Sequence, residues 1–377
     1  MHLPIVAGIY LHIPFCRKAC HYCDFHFSTQ LNYVPRMVNA MNQELKLRSA
    51  ELMAPVETIY LGGGTPSLLE EQELKLLLST IRELYPLSGS LEVTLEANPE
   101  DLTEERLESW RLIGINRLSI GLQTFNDEEL RWMNRVHDSQ RSIAAVKLAQ
   151  KAGFTNITVD LIYGSKFQTT NSWRQTIKSV IDLGVPHVSA YNLTIESGTA
   201  LGTKVKKGIE PEIDDELSSE LFMLLVEELT AVGFEQYEIS NFAKPLYRSK
   251  HNSNYWKGIP YLGIGPSAHS FNGAIRRWNI SNNQLYMKAV ESDLNFSEEE
   301  LIDDRTAFNE YIMTSLRTIE GCSLDAMRTR FGSERTAIFL NGIKRYDGYY
   351  LVSNGFVQLN QKGRLLADRI ASDLFIL

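Results

Sequence analysis

The chain has 377 residues, 44% of them hydrophobic and 22% charged, with a formal net charge of −8. That length suffices for one large domain and a smaller one, and the balance is that of a globular protein. The negative charge argues against a general nucleic-acid binder, and no apolar run approaches the roughly 18 residues of a membrane span.

The opening segment MHLPIVAGIYLHIPF lacks a basic stretch and a small-residue cleavage site, so it reads as a strand, and a cytosolic location is expected. Strands are predicted at Ile5–Ile13, Val56–Leu61, Leu91–Ala97, Arg117–Leu122, Ile157–Ile162 and Val188–Leu193, with a weaker seventh at Glu235–Ile239. Helical periodicity marks Val34–Leu52, Glu71–Leu84, Glu104–Leu112, Ser142–Ala152, Trp173–Leu183 and Asp214–Val232. Strand–helix repetition implies a parallel sheet, because parallel neighbours need crossover helices. Six or seven units suit a full or partial (β/α) barrel, with a doubly wound sheet as the alternative. Residues 1–240 form this core.

Residues 241–297 are rich in Gly, Asn, Pro and aromatics and read as an irregular connector. The acidic run Glu298–Asp304 reads as a solvated linker or helix start. Helices follow at Thr306–Thr318, Leu324–Phe331 and Glu334–Arg345. Strands Tyr349–Val352 and Phe356–Leu359 flank Asn354-Gly355, a hairpin signal, and Gly363–Asp373 closes the chain as a helix. This 298–377 unit looks like a smaller, mainly helical, winged-helix-like domain. Its 10 basic and 12 acidic side chains favour packing over DNA binding.

Three of the 4 cysteines, Cys16, Cys20 and Cys23, fall in a C-x3-C-x2-C segment just after the first strand. Loops at strand C-termini carry the active sites of α/β barrels. Clustered cysteines in a cytosolic chain indicate metal or redox chemistry, and Cys322 reads as a small buried residue. Two ligand sets remain open: an iron–sulfur cluster, or a Cys3His zinc site completed by His12, His21 or His26. Three cysteines for four irons would leave one iron free to be chelated by the amino and carboxylate groups of S-adenosylmethionine (SAM). Gly62-Gly63-Gly64-Thr65-Pro66 ends the second strand, where a glycine run lets backbone N–H groups approach a ligand.

With Tyr22 before the last cysteine, the segment resembles the radical SAM signature. The match extends to the family of oxygen-independent coproporphyrinogen III oxidases and their relatives, which the chain resembles over nearly its whole length. The resemblance implies a [4Fe–4S] cluster on Cys16, Cys20 and Cys23, with Tyr10, Tyr22, Gly63 and Glu96 serving the SAM bound to it. A second SAM is implied at Gly64, Thr65, Gln123, Arg135 and Asp160. Where that family continues Asp-Leu-Ile-Tyr-Gly with Leu-Pro-Gly-Gln-Thr, this chain has Gly164-Ser165-Lys166-Phe167-Gln168-Thr169, so the loop beyond Asp160 must follow another path.

Other departures divide the family. The decarboxylating enzymes have a fourth nearby cysteine where this chain has Phe25, and a longer extension before the opening strand. His251-Asn252-Ser253-Asn254-Tyr255-Trp256 is similar to the H-N-x-x-Y-W signature of the family's haem-chaperone branch. A neutral imidazole is a common haem ligand, and Tyr255 and Trp256 offer faces for a porphyrin. The resemblance therefore implies haem binding through His251 and transfer to acceptor haem proteins of respiration. Transient membrane association would follow from such acceptors, and the electron donor is left unnamed. The alternatives are oxidative decarboxylation of coproporphyrinogen III to protoporphyrinogen IX, or a zinc-binding interaction module.

Overall fold

In a computed structural model, residues 6–376 are described. Strand β1 (Ala7–Ile13) is followed by helix α1 (Val34–Leu47), β2 (Val56–Gly63), α2 (Glu71–Leu84), β3 (Leu87–Ala97) and α3 (Glu104–Leu112). Next come β4 (Arg117–Gln123), α4 (Asp127–Trp132), α5 (Ser139–Lys151), β5 (Asn156–Tyr163), α6 (Thr170–Leu183) and β6 (His187–Asn192). The first strand was expected from Ile5, which lies outside the described residues.

Strands β1 to β6 pair in sequence order, all parallel. A doubly wound sheet would reverse direction at a switch point; this order does not, so the architecture is that of a partial (β/α) barrel. Alternation along each strand divides the side chains. Ile9, Leu11, Val93, Leu95, Leu118, Ile120, Val159 and Leu161 face the helices and belong to one continuous core with helix residues such as Leu74, Leu77, Leu78 and Ile81 of α2. The alternate positions line a polar interior. There Arg117 donates to Thr94 and Thr158, Ser119 donates to Asp160, and Thr158 is hydrogen-bonded to His187. Groups buried this deeply must find partners, and these strands supply them to one another.

Helices α7 (Ala200–Lys206) and α8 (Asp215–Ala231) follow β6, then β7 (Glu235–Gln236) and β8 (Asn241–Ala243). The expected seventh barrel strand is instead the short edge strand β7, antiparallel to β8, which is antiparallel to β6.

The expected irregular connector is largely ordered. Its elements are α9 (Lys250–Trp256), β9 (Tyr261–Ile264), β10 (His269–Phe271), β11 (Ile275–Asn279) and α10 (Asn283–Glu291). Strand β9 adds parallel to β1, while β10, β11 and β12 (Ser297–Leu301) continue the sheet antiparallel. A buried Glu44–Arg48 pair on α1 fastens this extension. Arg48 donates to Gly263 O at 2.9 Å and Ser270 Oγ at 3.0 Å, while Glu44 accepts from the Gly265 N–H at 2.8 Å. The acidic run therefore divides: its glutamates lie on the edge strand β12, while Asp303 caps the following helix and Asp304 begins it, as a helix start was expected to. Glu300 and Glu299 lie opposite Arg276 and Arg277, and opposite charges paired across strands stabilise a pairing that composition alone disguised.

The C-terminal unit comprises α11 (Asp304–Leu316), β13 (Cys322–Ser323), α12 (Leu324–Ile343), β14 (Tyr350–Ser353), β15 (Phe356–Leu359), α13 (Gln361–Arg364) and α14 (Ala367–Asp373). It has its own core of Phe308, Ile312, Phe339 and Ile370, in which Cys322 is buried. Gly332, at φ +87°, divides α12 where two helices were expected, and Asn354 and Gly355 both adopt positive φ in the hairpin turn.

Candidate functional site

The loop carrying the three cysteines leaves the C-terminal end of β1 and is pinned at both ends and in the middle. The Cys16 N–H donates to Ser28 O at 3.0 Å, and the Ser28 N–H to Pro14 O at 2.9 Å. The His21 N–H donates to Met133 O at 3.1 Å, Asn134 Nδ2 to Ala19 O at 2.6 Å, and the Leu201 N–H to His21 O at 2.8 Å. Tyr22 packs into a small apolar cluster with Met133, Ile162, Leu193 and Leu201, anchoring the loop to the barrel rim.

The cysteines are half-buried and unbridged. Burial pushes the Cys16 thiol up to about 11 and raises that of Cys23. No three His, Cys, Asp or Glu side chains among the described residues converge to hold a single metal ion. His12, His21 and His26 each have a ring nitrogen already hydrogen-bonded, to His26 O, Trp132 O and Asn283 Oδ1 respectively. A cubane offers a separate iron to each thiolate and so suits three sulfur atoms that do not share one point. Thr65 Oγ1 donates to Cys16 Sγ at 3.4 Å and Arg135 Nη1 to Cys20 Sγ at 3.5 Å. Arg135 Nε is buried without a partner, so a cation already waits beside the thiols.

The glycine run lies against the base of the same loop. The Gly64 N–H donates to Ile13 O at 2.9 Å and the Thr65 N–H to Phe15 O at 2.7 Å. A Cβ on Gly64 would come within 2.6 Å of Phe15 O, and Gly63, at φ +106°, would place one 2.5 Å from the His12 ring. Only glycines allow this approach. One strand over, Glu96 accepts from Tyr60 Oη at 2.7 Å, and burial raises its carboxyl to about 7. Tyr10 lies beside Tyr60, with ring centroids 6.1 Å apart. Tyr10, Gly63 and Glu96 therefore share one corner of the barrel mouth.

Of the residues expected around a second SAM, Gln123, Arg135 and Asp160 gather at the opposite side, whereas Gly64 and Thr65 lie beside Gly63 against the cysteine loop. A Cβ on Gly121 would meet Gln123 Nε2 at 2.7 Å and Arg135 Nη2 at 3.4 Å, and Gly121 is in register with Asp160 on β5. Ser119 Oγ donates to both Asp160 oxygens at 3.1 Å, and burial raises this carboxyl to about 6. Asn98, not singled out from the sequence, links the two sides. Its Nδ2 donates to Thr65 Oγ1 at 3.3 Å and its Oδ1 accepts from Arg135 Nη2 at 2.7 Å. Its position two residues beyond Glu96 on the same strand end was the available signal.

The atypical Gly164–Thr169 loop folds onto Glu129 of α4. This buried carboxylate accepts from Thr124 Oγ1 at 2.6 Å, from Gln168 Nε2 at 3.0 Å and from Ser165 Oγ. The Gly164 N–H donates back to Gln168 Oε1 at 2.8 Å. Ser165, which stands in place of the usual leucine, thus has a specific acceptor, shared with Gln168 at the position where the family also has glutamine.

His251 is not at the mouth. It projects from α9 into the opposite end of the barrel and is 2% exposed. Its Nδ1 is hydrogen-bonded to Thr58 Oγ1 at 2.8 Å and its Nε2 to Tyr255 Oη at 2.9 Å, with Tyr60 stacked on its face at 4.9 Å. Glu92 accepts from the Lys250 and His251 N–H groups at 3.2 and 3.1 Å, fixing the helix start. Burial lowers the imidazole to about 3, so it is neutral. As folded, it has no free nitrogen for a haem iron.

Comparison with known proteins places these features. The radical SAM superfamily profile matches residues 10–180. The chain is 36% identical over 373 residues to the protein named heme chaperone HemW of Mycobacterium tuberculosis, covering 97% of this chain and 94% of that one. It is 34% identical to the Bacillus subtilis protein of the same name, covering 96% and 97%. Among solved structures, coproporphyrinogen III oxidase (HemN) of Escherichia coli, described as a radical SAM enzyme, matches with a TM-score of 0.85 at 25% identity, covering 98% of this chain and 90% of that one.

Proposed function

The chain belongs to the HemW family of radical SAM proteins, and from that premise we propose that it is a haem chaperone, taking up haem and handing it to acceptor haem proteins. The observation that carries this reading is extent: similarity to proteins named haem chaperones runs through the barrel, α9 and the C-terminal unit, over 97% of the chain. Respiratory proteins are the acceptors in the finer version of the reading.

The family brings a [4Fe–4S] cluster and SAM. When bound, the cluster supplies an electron to the SAM sulfonium. The chain's own part is to hold and orient. Cys16, Cys20 and Cys23 would be the three cluster ligands, with Arg135 balancing their charge. Tyr10, Gly63 and Glu96 would meet the SAM on the open iron. Gly64, Thr65, Gln123, Arg135 and Asp160 would meet a second one. Tyr22 supports this site by anchoring the loop. A reducing, cytosolic setting belongs to the same reading, because free thiols of this kind oxidise elsewhere. No helix among the described residues is long and apolar enough to cross a membrane.

The likeness to coproporphyrinogen III oxidase supports the second reading, oxidative decarboxylation, but at 25% identity. Phe25, where those enzymes have a further cysteine, is 71% exposed on the cysteine loop. Haem titration of the anaerobically reconstituted protein, followed in the Soret band, tests the chaperone reading, and saturable uptake is expected. Vinyl product from coproporphyrinogen III with SAM and dithionite would overturn it.

A further inference from the structure

Given the haem-chaperone reading, on which this inference rests, we propose that the haem iron is taken by His269 on the sheet extension, with Trp278 flanking the macrocycle.

The register places these residues on one face. Tyr10 of β1 is opposite Tyr60 on one side and Gly263 of β9 on the other. Strand β10 runs antiparallel with Phe271 opposite Tyr261, which puts His269 beside Gly263. His269 is then opposite Trp278 on β11. The row Tyr60, Tyr10, Gly263 runs along the inner face of the barrel, and His269 and Trp278 pair at its outer end. At Gly263 the backbone of His269 takes the place a Cβ would occupy, its carbonyl oxygen 1.9 Å from that position, so only glycine lets β10 approach this closely, and the His269 side chain is left exposed. The other face of the extension is occupied, since Ser270 is held by Arg48 and Leu262 packs into the main core.

His269 is exposed, and neither ring nitrogen has a hydrogen-bond partner among the described residues. The other described histidines differ. His12, His137, His187 and His251 are buried and hydrogen-bonded, while His21 and His26 are tied to Trp132 O and Asn283. A haem needs an imidazole lone pair that is neutral and reachable. Partial burial and the nearby Arg276 charge lower the His269 imidazole below its usual value, which keeps that lone pair free at neutral pH.

The surroundings suit a flat apolar ring with acidic edges. The Trp278 indole lies 6.2 Å from the His269 ring at 32°, and Tyr261 and Phe271, 6.5 Å apart, extend an aromatic floor on the same face. Arg276 is on this face too, paired with Glu310 at 2.7 Å, and would offer a propionate a cation. An open sheet face of this kind also suits a carrier, because cargo held at the surface can be passed on.

The test is haemin titration of the full reconstituted chain, read in the Soret band and by EPR, for wild type, His269→Ala, His269→Met, Trp278→Ala and His251→Ala. His269→Ala is expected to weaken binding at least about tenfold and to move the Soret maximum, Trp278→Ala to weaken it less, and His269→Met to restore binding with a different spectrum. His251→Ala is expected to keep the wild-type Soret position. Unchanged affinity and spectrum in His269→Ala, with unaltered far-UV circular dichroism, would overturn the proposal while leaving the chaperone reading standing. A wild-type protein that takes up no haem would overturn both.

Discussion

Arg135 Nη2 donates to Asn98 Oδ1 at 2.7 Å, and through Asn98 Nδ2 the link continues to Thr65. Because Thr65 and Arg135 contact Cys16 and Cys20, one asparagine couples the surroundings of two thiols that are four residues apart in sequence. Asn98→Ala leaves a buried guanidinium short of an acceptor, a loss of about 1–3 kcal/mol. The urea midpoint of the cluster-free protein should fall accordingly. In the reconstituted protein, Arg135→Leu should lower the cluster's reduction potential, since a cation and a hydrogen bond to a ligating sulfur both favour the reduced state. An EPR-monitored redox titration reads this directly.

Glu129 holds the unusual loop. Replacing it with Ala strands the Thr124 and Ser165 hydroxyls and one N–H of the Gln168 amide, whose other bond runs to Ile162 O, all buried, and should cost about 2–4 kcal/mol. Glu129→Gln keeps the shape and some of the acceptors and should cost less. Faster proteolysis or hydrogen exchange confined to residues 164–169 would mark the loop as the part released.

Glu96 gives the protein a pH dependence of defined sign. Its folded-state carboxyl is raised from 4.5 to about 7, mainly by burial, so the folded state binds the proton more tightly than the unfolded chain. Its contribution is then complete below about pH 4.5 and is lost as pH rises through about 7. Asp160, raised from 3.8 to about 6, acts in the same direction over a lower window. Urea midpoints of the cluster-free protein should therefore decline between pH 5 and pH 8, within the window those two values set. Glu96→Gln should flatten the upper part of that decline.

The sequence revealed the barrel because its outward strand faces repeat apolar residues and its helices are amphipathic, as in Glu71–Leu84, which matches α2 residue for residue. It revealed the cysteine loop and the glycine run because both are local in sequence. The sheet extension was hidden. Strands β10 and β11 are three and five residues long and present His, Trp and Arg on the face that a pattern search expects to be apolar. Asn98 and Glu129 were hidden for another reason: apart from Thr124, the partners named for them lie more than thirty residues away in the chain, joined only by the fold. The placement of His251 was beyond the motif as well. A seven-residue helix has too few turns to show which side enters the barrel.

That placement makes its own prediction. His251 closes the barrel because Gly8 offers it space, Thr58 binds Nδ1 and Tyr255 binds Nε2. Thr58→Val keeps the volume of the side chain but leaves a buried imidazole nitrogen unpaired, at about 1–3 kcal/mol, and Tyr255→Phe does the same to the other nitrogen. Both should lower the unfolding midpoint. Neither should move the Soret band of bound haem if His251 stays inside the barrel during uptake. A helix α9 that swings out to present His251 predicts the reverse for affinity. Weakening the plug at Thr58 would then make the imidazole easier to withdraw and haem binding tighter. Measuring stability and haem affinity on the same Thr58→Val protein separates a structural histidine from a stored ligand, and the closed hydrogen-bonding of the imidazole favours lower stability with unchanged affinity.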